Sequence, residues 1–280
     1  MSGLKRGWRR VKEVTSVLFL VAATGLLAFP FLWLVAAGFK TNAELFAPLK
    51  LLPSSLDPRY FRELFGGAWL PYGRQYLSTV LIVSVQTALV LFASSAAGFV
   101  FAHYRFPGRR LLYVAALSVV FIPRQVLVVP LLEWLIVLDL TDTLWGVILP
   151  GSVSALGLLF FAEMSRRLPR ELFDAARLEG ASEIGLYVGV ALPLLRPALV
   201  TFGFIHALLA THETLLPLVV LSTPEKLPVA VGLGGLFGSY LQVPYAVIMA
   251  GFVLVALPFL AAYVALKGQF RSALREFLGT

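Results

Sequence analysis

Six long apolar runs constrain this chain more than any other feature of its sequence. Each run is long enough to cross the hydrocarbon core of a bilayer, which takes about 20 residues of helix. Lipid offers no water to free backbone groups, so spanning segments are helices or closed-barrel strands, and long unbroken runs favour helices. The predicted fold is therefore all-α, with about six transmembrane helices in a single transmembrane domain, at residues 14–39, 76–102, 111–137, 144–164, 198–221 and 243–266.

The third run is the least regular of the six. It contains Pro123, Arg124 and Pro130. Proline removes a backbone donor and disrupts the helical turn that precedes it. The sequence therefore predicts that this span is bent or broken.

The charge distribution fits a membrane protein. Charged residues make up 14% of the chain, whereas a soluble domain has about 25%. With the N-terminus inside, sixteen of the 23 Lys and Arg residues fall in inner tails and loops and six in outer loops. The net charge of +8 is then explained by topology and by attraction to anionic lipid, which argues against a nucleic-acid partner. Both termini and residues 165–196 are predicted to be cytoplasmic.

Residue patterns argue against catalysis by this chain. His103, His206 and His212 lack the i, i+4 spacing of a metal-binding helix, and the chain has no Cys. It contains neither a Gly-x-Ser-x-Gly elbow nor a phosphate-binding loop ending in Gly-Lys-Ser/Thr. We therefore predict no catalytic residue, no metal site and no cofactor in this chain. If ATP drives its activity, another subunit must supply the motor.

Polar residues inside the spans are the next candidates for function, because burying them in a membrane is costly. His212 and Glu213 are the most central, within the fifth run. One interpretation is a polar point on a transport path; the other is a pair that fixes helix packing. The sequence leaves both open. A secondary transporter would usually show an internal repeat and an ion relay, and neither is visible.

The internal segment 165–196 separates the fourth and fifth runs. Residues 171–178 are good helix formers, and Pro169 suits a helix start. Gly180 then breaks the helix, and residues 182–192 are predicted to be helical up to Pro193. The pattern predicts a short helix, a Gly turn and a second helix that lie along the membrane face.

This segment resembles the coupling loop of ATP-binding-cassette importer permeases, where Glu-Ala-Ala is followed by Gly and then by Leu-Pro. Here the sequence reads Asp-Ala-Ala at 174–176, Gly180 and Leu-Pro at 192–193. Asp174 stands where the pattern has Glu, and Val190 where it usually has Ile. As in those permeases, the segment is a charged loop, interrupted by glycine, between two predicted membrane spans.

Further stretches resemble the carbohydrate-uptake branch of these permeases, specifically the second permease subunit of maltose-type systems. They cover most of the chain and are Phe-Pro-Phe-Leu-Trp at 29–33, Phe-Lys-Thr at 39–41, Tyr-Arg-Phe-Pro-Gly-Arg at 104–109, Ile-Pro at 122–123, Val-Pro-Leu at 129–131, Arg-Leu-Pro-Arg-Glu-Leu at 167–172, Leu-Pro-Leu-Leu-Arg-Pro-Ala-Leu at 192–199, Leu-Pro-Leu-Val-Val-Leu at 216–221 and Leu-Pro-Val at 227–229.

The resemblance implies a permease subunit in the inner membrane of a prokaryote that passes a sugar across by alternating access. It implies as partners a second homologous permease, an external substrate-binding protein and two ATP-binding subunits that hold ATP and Mg. The coupling helix would dock into a cleft on one ATPase subunit, and Gly180 would let the chain turn where a side chain would obstruct. The residues that the resemblance assigns to this contact are Asp174, Ala175, Ala176, Glu179, Gly180, Ala181, Leu192 and Pro193.

Departures from the family pattern leave the cargo open. Thr-His-Glu at 211–213 stands where the family often has Trp-Asn-Glu, and Ser78 where it often has Asn. Ser78 joins His212 and Glu213 as a candidate for the substrate path. Residues 268–280 lack the usual closing sequence. The alternatives are import of a glycerol phosphate or polyol by the same class of machine, and a membrane scaffold that transports nothing.

Overall fold

Helices account for all the regular structure in the computed structural model, which describes residues 2–47, 49–237 and 244–278; these residues include no strand. The predicted all-α class is confirmed. The α-helices are α1 (Ser2–Ala37), α2 (Asn42–Leu45), α3 (Arg59–Phe65), α4 (Tyr72–His103), α5 (Arg109–Val120), α6 (Val128–Val137), α7 (Leu144–Gly151), α8 (Ala155–Arg166), α9 (Arg170–Leu178), α10 (Glu183–Gly185), α11 (Leu192–Leu194), α12 (Arg196–Thr211), α13 (Leu215–Val220), α14 (Val229–Leu236) and α15 (Tyr245–Leu278). Short 3-10 turns lie at Arg124–Leu127 and Pro224–Lys226, and a π-helix at Leu186–Ala191.

Three helical stretches are each long and apolar enough to cross a membrane: Val14–Ala37, Tyr72–His103 and Tyr245–Ser272. Three bent pairs of helices meet the same criterion together, so the described residues provide up to six spans. The pairs bend by 100° between α5 and the 3-10 turn with α6, by 42° between α7 and α8, and by 75° at the start of α12. The sixth predicted run began at Val243, which lies outside the described residues.

The break in the third run falls at Pro123. Helix α5 ends at Val120, and the amides of Phe121 and Ile122 bond back to the carbonyls of Ser118 and Val119 in a tightened last turn. Pro123 then has no amide with which to continue the ladder. Pro130 lies in the first turn of α6, where its amide would have no helical partner, so it does not add a second break.

The fifth run differs from the expected continuous span at residues 198–221. Helix α12 ends at Thr211, and a separate helix, α13, begins at Leu215. In a continuous helix the ring of Pro217 would press against the carbonyl of Glu213 and remove one hydrogen bond. His212 and Glu213 therefore lie in the break between two helices, and not in the middle of one.

The chain divides into two compact units, one from residues 1–69 and 236–256 and the other from residues 70–235 and 257–280. In the first unit, the carboxylate of Glu44 accepts hydrogen bonds from the amides of Thr41 and Ser54 and pairs with Lys50 at 2.7 Å. These contacts, led by Lys50, hold the pKa of the Glu44 carboxyl well below its usual range. The connection that follows α1 is fixed by this carboxylate.

Helix α4 runs through the centre of the second unit. Ile82, Val90 and Phe99, spaced along its length, each belong to a different apolar cluster. Helix α4 packs most closely on α8, where a Cβ on Gly98 would lie 2.6 Å from backbone atoms of Phe161 and Ala162. A side chain at position 98 would therefore push the two helices apart.

A polar clamp joins two loops of the second unit. Asp142, in the loop between α6 and α7, accepts hydrogen bonds from the amides of Ser222 and Thr223 at 3.0 and 2.9 Å. Its other carboxylate oxygen accepts from the hydroxyl of Thr223 and pairs with Lys226 at 2.9 Å. Lys226 and then Thr223 hold the pKa of the Asp142 carboxyl well below its usual range. No local sequence pattern predicts this clamp, because Asp142 is about 80 residues from the residues that it binds.

We expect Asp142→Asn to lower the thermal midpoint of the purified protein at neutral pH, by on the order of 2–4 °C. The carboxylate is stabilised in the folded state, so its contribution is complete above the ordinary pKa of Asp, about 4; it begins to fall below that pH and is lost only as pH falls through the lower pKa of the folded state. Melting curves between pH 7 and pH 3 should therefore show the difference between the wild type and the variant narrowing toward the acid end.

Asp139→Asn is the matched control. Asp139 also has a positive φ, 54° against 51° for Asp142, but its side chain is exposed. Its replacement should leave the midpoint unchanged. Equal losses for the two variants, or a difference that widens at low pH, would contradict the role given to the Asp142 carboxylate.

Candidate functional site

Helix α9 is the first half of the segment predicted to contact a partner. Pro169 precedes it with φ −60°, Glu171 lies in its first turn and Arg177 in its last. This placement of charges suits the helix dipole, which favours acids at the start and bases at the end. The expected short helix is therefore formed by a sequence that favours it locally.

Phe173 attaches this helix to the body of the protein. It is 2% exposed, and its ring centroid lies 5.7 Å from that of Phe99 and 4.5 Å from that of His103, both on the last turns of α4. Leu186 and Ala191 of the π-helix complete the same apolar cluster. The two halves of the segment are thereby packed on one end of α4.

Gly180 ends α9 in a Schellman arrangement. Its amide bonds to the carbonyl of Arg177 at 3.0 Å, and the amide of Ala181 bonds to the carbonyl of Ala176 at 3.0 Å. The φ of Gly180 is +87°, in the left-handed region that favours glycine. No atom lies within 4 Å of the position that a Cβ would take. Within this chain the requirement for glycine is therefore conformational, and the described residues do not obstruct a side chain at this position.

The second half of the segment begins at a capped turn and continues as an irregular helix. Ser182 accepts a hydrogen bond from the amide of Gly185 at 3.1 Å, which starts α10. The hydroxyl of Tyr187 in the π-helix lies 2.7 Å from that of Ser95 on α4. Leu192 is half-buried and Pro193 is exposed in α11. A regular α-helical register would leave a carbonyl without a partner at Pro193, which has no amide hydrogen.

Arg177 links the two halves by charge. Its guanidinium lies 3.4 Å from the carboxylate of Asp174 and 3.5 Å from that of Glu183. The hydroxyl of Tyr104, just after α4, donates to the same Glu183 carboxylate. Burial and the Glu183 contact raise the pKa of Tyr104, and the hydrogen bond to Glu183 raises the pKa of Arg177. Asp174 therefore has a partner within its own helix, yet its side chain is 71% exposed.

The outer face of the segment carries apolar side chains that the rest of the chain does not cover. Leu178 is 91% exposed and Ile184 is 78% exposed. Leu178 follows Asp174 and Ala175 at helical spacing, so these residues share one face of α9, opposite Phe173. Glu179 and Ala181 are exposed beside them. The segment therefore exposes two apolar side chains among charged ones.

The three residues predicted for a substrate path each form a hydrogen bond with a different partner. The hydroxyl of Ser78 donates to the carbonyl of Glu225 at 3.0 Å. The ring of His212 lies 2.8 Å from the carbonyl of Leu208, and the carboxylate of Glu213 accepts from the amide of Leu215. Within the described residues, no hydrogen bond joins these three side chains.

Sequence analysis missed two buried polar contacts of α4. The hydroxyl of Thr87 lies 3.1 Å from the ring of His206 on α12, and the amide of Gln86 donates to the carbonyl of Val147 at 3.2 Å. The side chain of Gln86 occupies the place that a Cβ on Gly151 would take. The signal that could have found them is the helical spacing of the polar residues along α4, at Gln75, Ser78, Thr79, Gln86, Ser94 and Ser95.

Known proteins are similar to this chain in sequence and in fold. Residues 90–272 match the family model described as binding-protein-dependent transport system inner membrane component. The arabinooligosaccharides transport system permease protein AraQ of Bacillus subtilis (strain 168) is 30% identical over 267 residues, covering 94% of each chain. The lactose transport system permease protein LacG of Rhizobium radiobacter is 27% identical over 262 residues, also covering 94% of each.

The fold is also found in a solved transporter structure. The crystal structure of a bacterial ABC transporter involved in the import of the acidic polysaccharide alginate contains a chain that superposes with a TM-score of 0.78. The match covers 93% of this chain and 97% of that one, at 18% sequence identity.

Phe173→Ala should loosen α9 from the end of α4. Truncating a buried Phe costs about 3–5 kcal/mol in a packed core, and here the loss falls on one local contact. Hydrogen exchange of the amides at 174–178 should accelerate by at least on the order of 100-fold, if local opening governs exchange. Leu172→Ala, next to it and exposed, should change exchange little. Equal effects of the two would mean that Phe173 is not the anchor.

The series Gly180→Asn, Gly180→Ala and Gly180→Val tests the cause of the glycine requirement. A left-handed φ costs an ordinary L-residue about 1–2 kcal/mol, Asn tolerates it best, and β-branched Val tolerates it least. Amide exchange at residues 180 and 181 should accelerate in the order Asn, Ala, Val. Faster exchange in the Asn variant than in the Ala variant would instead indicate steric crowding.

Proposed function

Because this chain belongs to the family of inner membrane components of binding-protein-dependent transport systems, we propose that it is a permease subunit of an ATP-driven sugar importer. The family consists of membrane components of transport systems and not of enzymes, and the two relatives named above are carbohydrate permeases. The finer assignment, that ATP hydrolysis in partner subunits drives this chain between two states, is supported by the geometry of the segment from α9 to α11.

The observation that carries the proposal is the exposed apolar pair, Leu178 and Ile184, on a segment that is otherwise charged. Apolar side chains that face lipid need no explanation, but a helix with Glu171, Asp174 and Glu179 exposed does not lie in hydrocarbon. Side chains that cluster at the centre of a surface and are rimmed by charges are typical of contact sites between proteins. The partner surface is that of an ATP-hydrolysing subunit.

The attachment of the segment supports the transfer of motion. Phe173 packs on α4, Tyr187 bonds to Ser95, and Tyr104 bonds to Glu183. A displacement of α9 by a partner would therefore act on α4 through three separate contacts. Interfaces of this kind move as rigid bodies between discrete arrangements, which is what alternating access requires.

The proposed assembly is the one that membership of this family supports. A second, homologous permease pairs with this chain, two ATP-binding subunits hold ATP and Mg on the cytoplasmic side, and an external protein delivers the substrate. Both termini and residues 165–196 face the cytoplasm, an orientation supported by the excess of Lys and Arg in those segments. ATP and Mg are bound by the partner subunits.

A sugar is the proposed cargo because relatives are named for arabinooligosaccharides and lactose. His212 and Glu213 are the proposed polar point on the path. The break between α12 and α13 supports this role, since discontinuous helices in transporters line binding sites with polar backbone groups. Ser78 is instead assigned a positioning role, because its hydroxyl is bonded to the carbonyl of Glu225.

The double variant Leu178→Ser, Ile184→Ser tests the proposed contact in the reconstituted complex. Truncating one hot-spot residue at the centre of an interface costs about 2 kcal/mol or more, which is about 30-fold in affinity, so the two changes together should weaken binding of the ATPase subunits by on the order of 1,000-fold. Substrate-stimulated ATP hydrolysis should be lost at ordinary subunit concentrations, with unchanged membrane insertion. Asp174→Lys, which reverses an exposed charge, should likewise weaken ATPase binding and lower substrate-stimulated ATP hydrolysis.

Leu172→Ser is the control, since Leu172 is exposed on the same helix but on its flank. It should leave stimulated hydrolysis near the wild-type rate. Normal binding and normal stimulated hydrolysis in the double variant would refute the assignment of this surface to the ATPase contact.

A further inference from the structure

An open cavity of about 650 Å³ lies where α5 begins, and none of its lining residues belongs to the surface assigned to the ATPase subunit. Its walls include three arginines, Arg109, Arg110 and Arg166, and four apolar or aromatic residues, Phe106, Leu111, Tyr113 and Val114. The three arginines come from two different helices, α5 and α8. The cavity therefore joins basic groups that are more than 50 residues apart in the sequence.

The aromatic walls are held in place by packing. Phe101 of α4 is buried, and its ring lies 5.3 Å from that of Phe106 and 6.3 Å from that of Tyr113. The guanidinium of Arg166 lies 5.1 Å from the centroid of the Tyr113 ring, within the range of a cation–π contact. The basic groups thus surround a preformed concave surface.

The cavity is strongly positive. Arg166 is 3.4 Å from the carboxylate of Glu163, which also pairs with Arg167 at 3.3 Å. Among the described side chains, no carboxylate pairs with Arg109 or Arg110. The first turn of α5 has no acidic residue and no side-chain cap, so the positive end of its dipole adds to the same field. An anionic group is the complementary ligand.

The outer wall continues into a surface that suits hydrocarbon. Helix α5 has no buried residue, and Leu111 and Val114, which line the cavity, are 73% and 50% exposed. A soluble anion would gain nothing from these side chains. A lipid places its phosphate at the level of the arginines and its acyl chains along the apolar helix, so it satisfies both surfaces at once.

We infer that this cavity binds the headgroup of an anionic phospholipid, with the acyl chains along α5. Arg109 and Arg110 supply the main attraction for the phosphate, and Arg166 with Tyr113 closes the opposite side. The inference does not depend on the identity of the transported sugar or on the ATPase contact. It adds a specific lipid site to the general attraction between basic loops and anionic membranes.

Native mass spectrometry of the full chain in a neutral detergent tests the site with phosphatidylglycerol as the probe. Phosphatidylcholine with the same acyl chains and inorganic phosphate are the comparison ligands, all at one ionic strength. The wild type should bind one phosphatidylglycerol in preference to phosphatidylcholine, and millimolar phosphate should not displace it. In the variant Arg109→Gln, Arg110→Gln the affinity should fall by about 25-fold, since each basic residue near a membrane surface contributes roughly fivefold.

The variant Arg170→Gln, Arg196→Gln removes two exposed arginines outside the cavity and changes the net charge equally. It should keep the wild-type affinity within a factor of about two, well short of the fivefold that one contacting arginine contributes. An equal loss in both variants, or equal binding of phosphatidylcholine, would overturn the site. Displacement by millimolar phosphate would overturn the lipid as its ligand and assign the cavity to a soluble anion. The four arginines are not in the buried core, so the variants should fold; unchanged thermal midpoints would verify this.

Discussion

The close crossing of α4 and α8 is the contact on which the second unit of this permease depends. Gly98 lets the backbone of α8 approach to a distance that no side chain would permit, and Gly157 does the same against Ser94. Transmembrane helices cannot rely on the hydrophobic effect between them, because lipid is as apolar as their side chains; small residues permit dispersion contacts instead. The other helices of the unit pack around this fixed pair, since α4 contributes a residue to each of the three apolar clusters.

Both proposed contact sites, for the ATPase subunit and for a lipid, lie at one end of the α4–α8 pair. The last turns of α4 provide Phe99 and His103, which receive Phe173, and the end of α8 provides Arg166, which forms one side of the basic cavity. A partner that moved α9 would therefore act on the end of this pair. A lipid in the proposed site would contact α5 and α8 at the same end.

The sequence was sufficient for features that depend on local composition. Apolar length predicted the spans, Pro123 predicted the break in the third, and Pro169 and Gly180 predicted the helix and turn of the internal segment. It was insufficient where distant residues meet or where two local rules compete. The fifth run is mostly apolar, yet α12 ends at Thr211, because in a continuous helix the ring of Pro217 would press against the carbonyl of Glu213. The hydropathy of the run does not register that effect. Phe173, Glu183 and Asp142 owe their roles to contacts with residues about 70 to 80 positions away, which no local pattern contains.

The residues that carry the resemblance to a coupling loop divide into two groups: Asp174 and Ala175 share the exposed face with Leu178, whereas Ala176 and Gly180 belong to the turn that ends α9. Ala176, Gly180 and Ala181 are the positions that a Schellman ending requires, and Gly180 is constrained by its φ and not by a neighbour. Asp174 is paired with Arg177, which in turn holds Glu183. The motif therefore specifies how the helix ends and how the second half is fixed to the first. The exposed side chains Leu178 and Ile184 lie between the motif positions. These two residues can therefore differ to suit a partner while the turn that positions them stays the same.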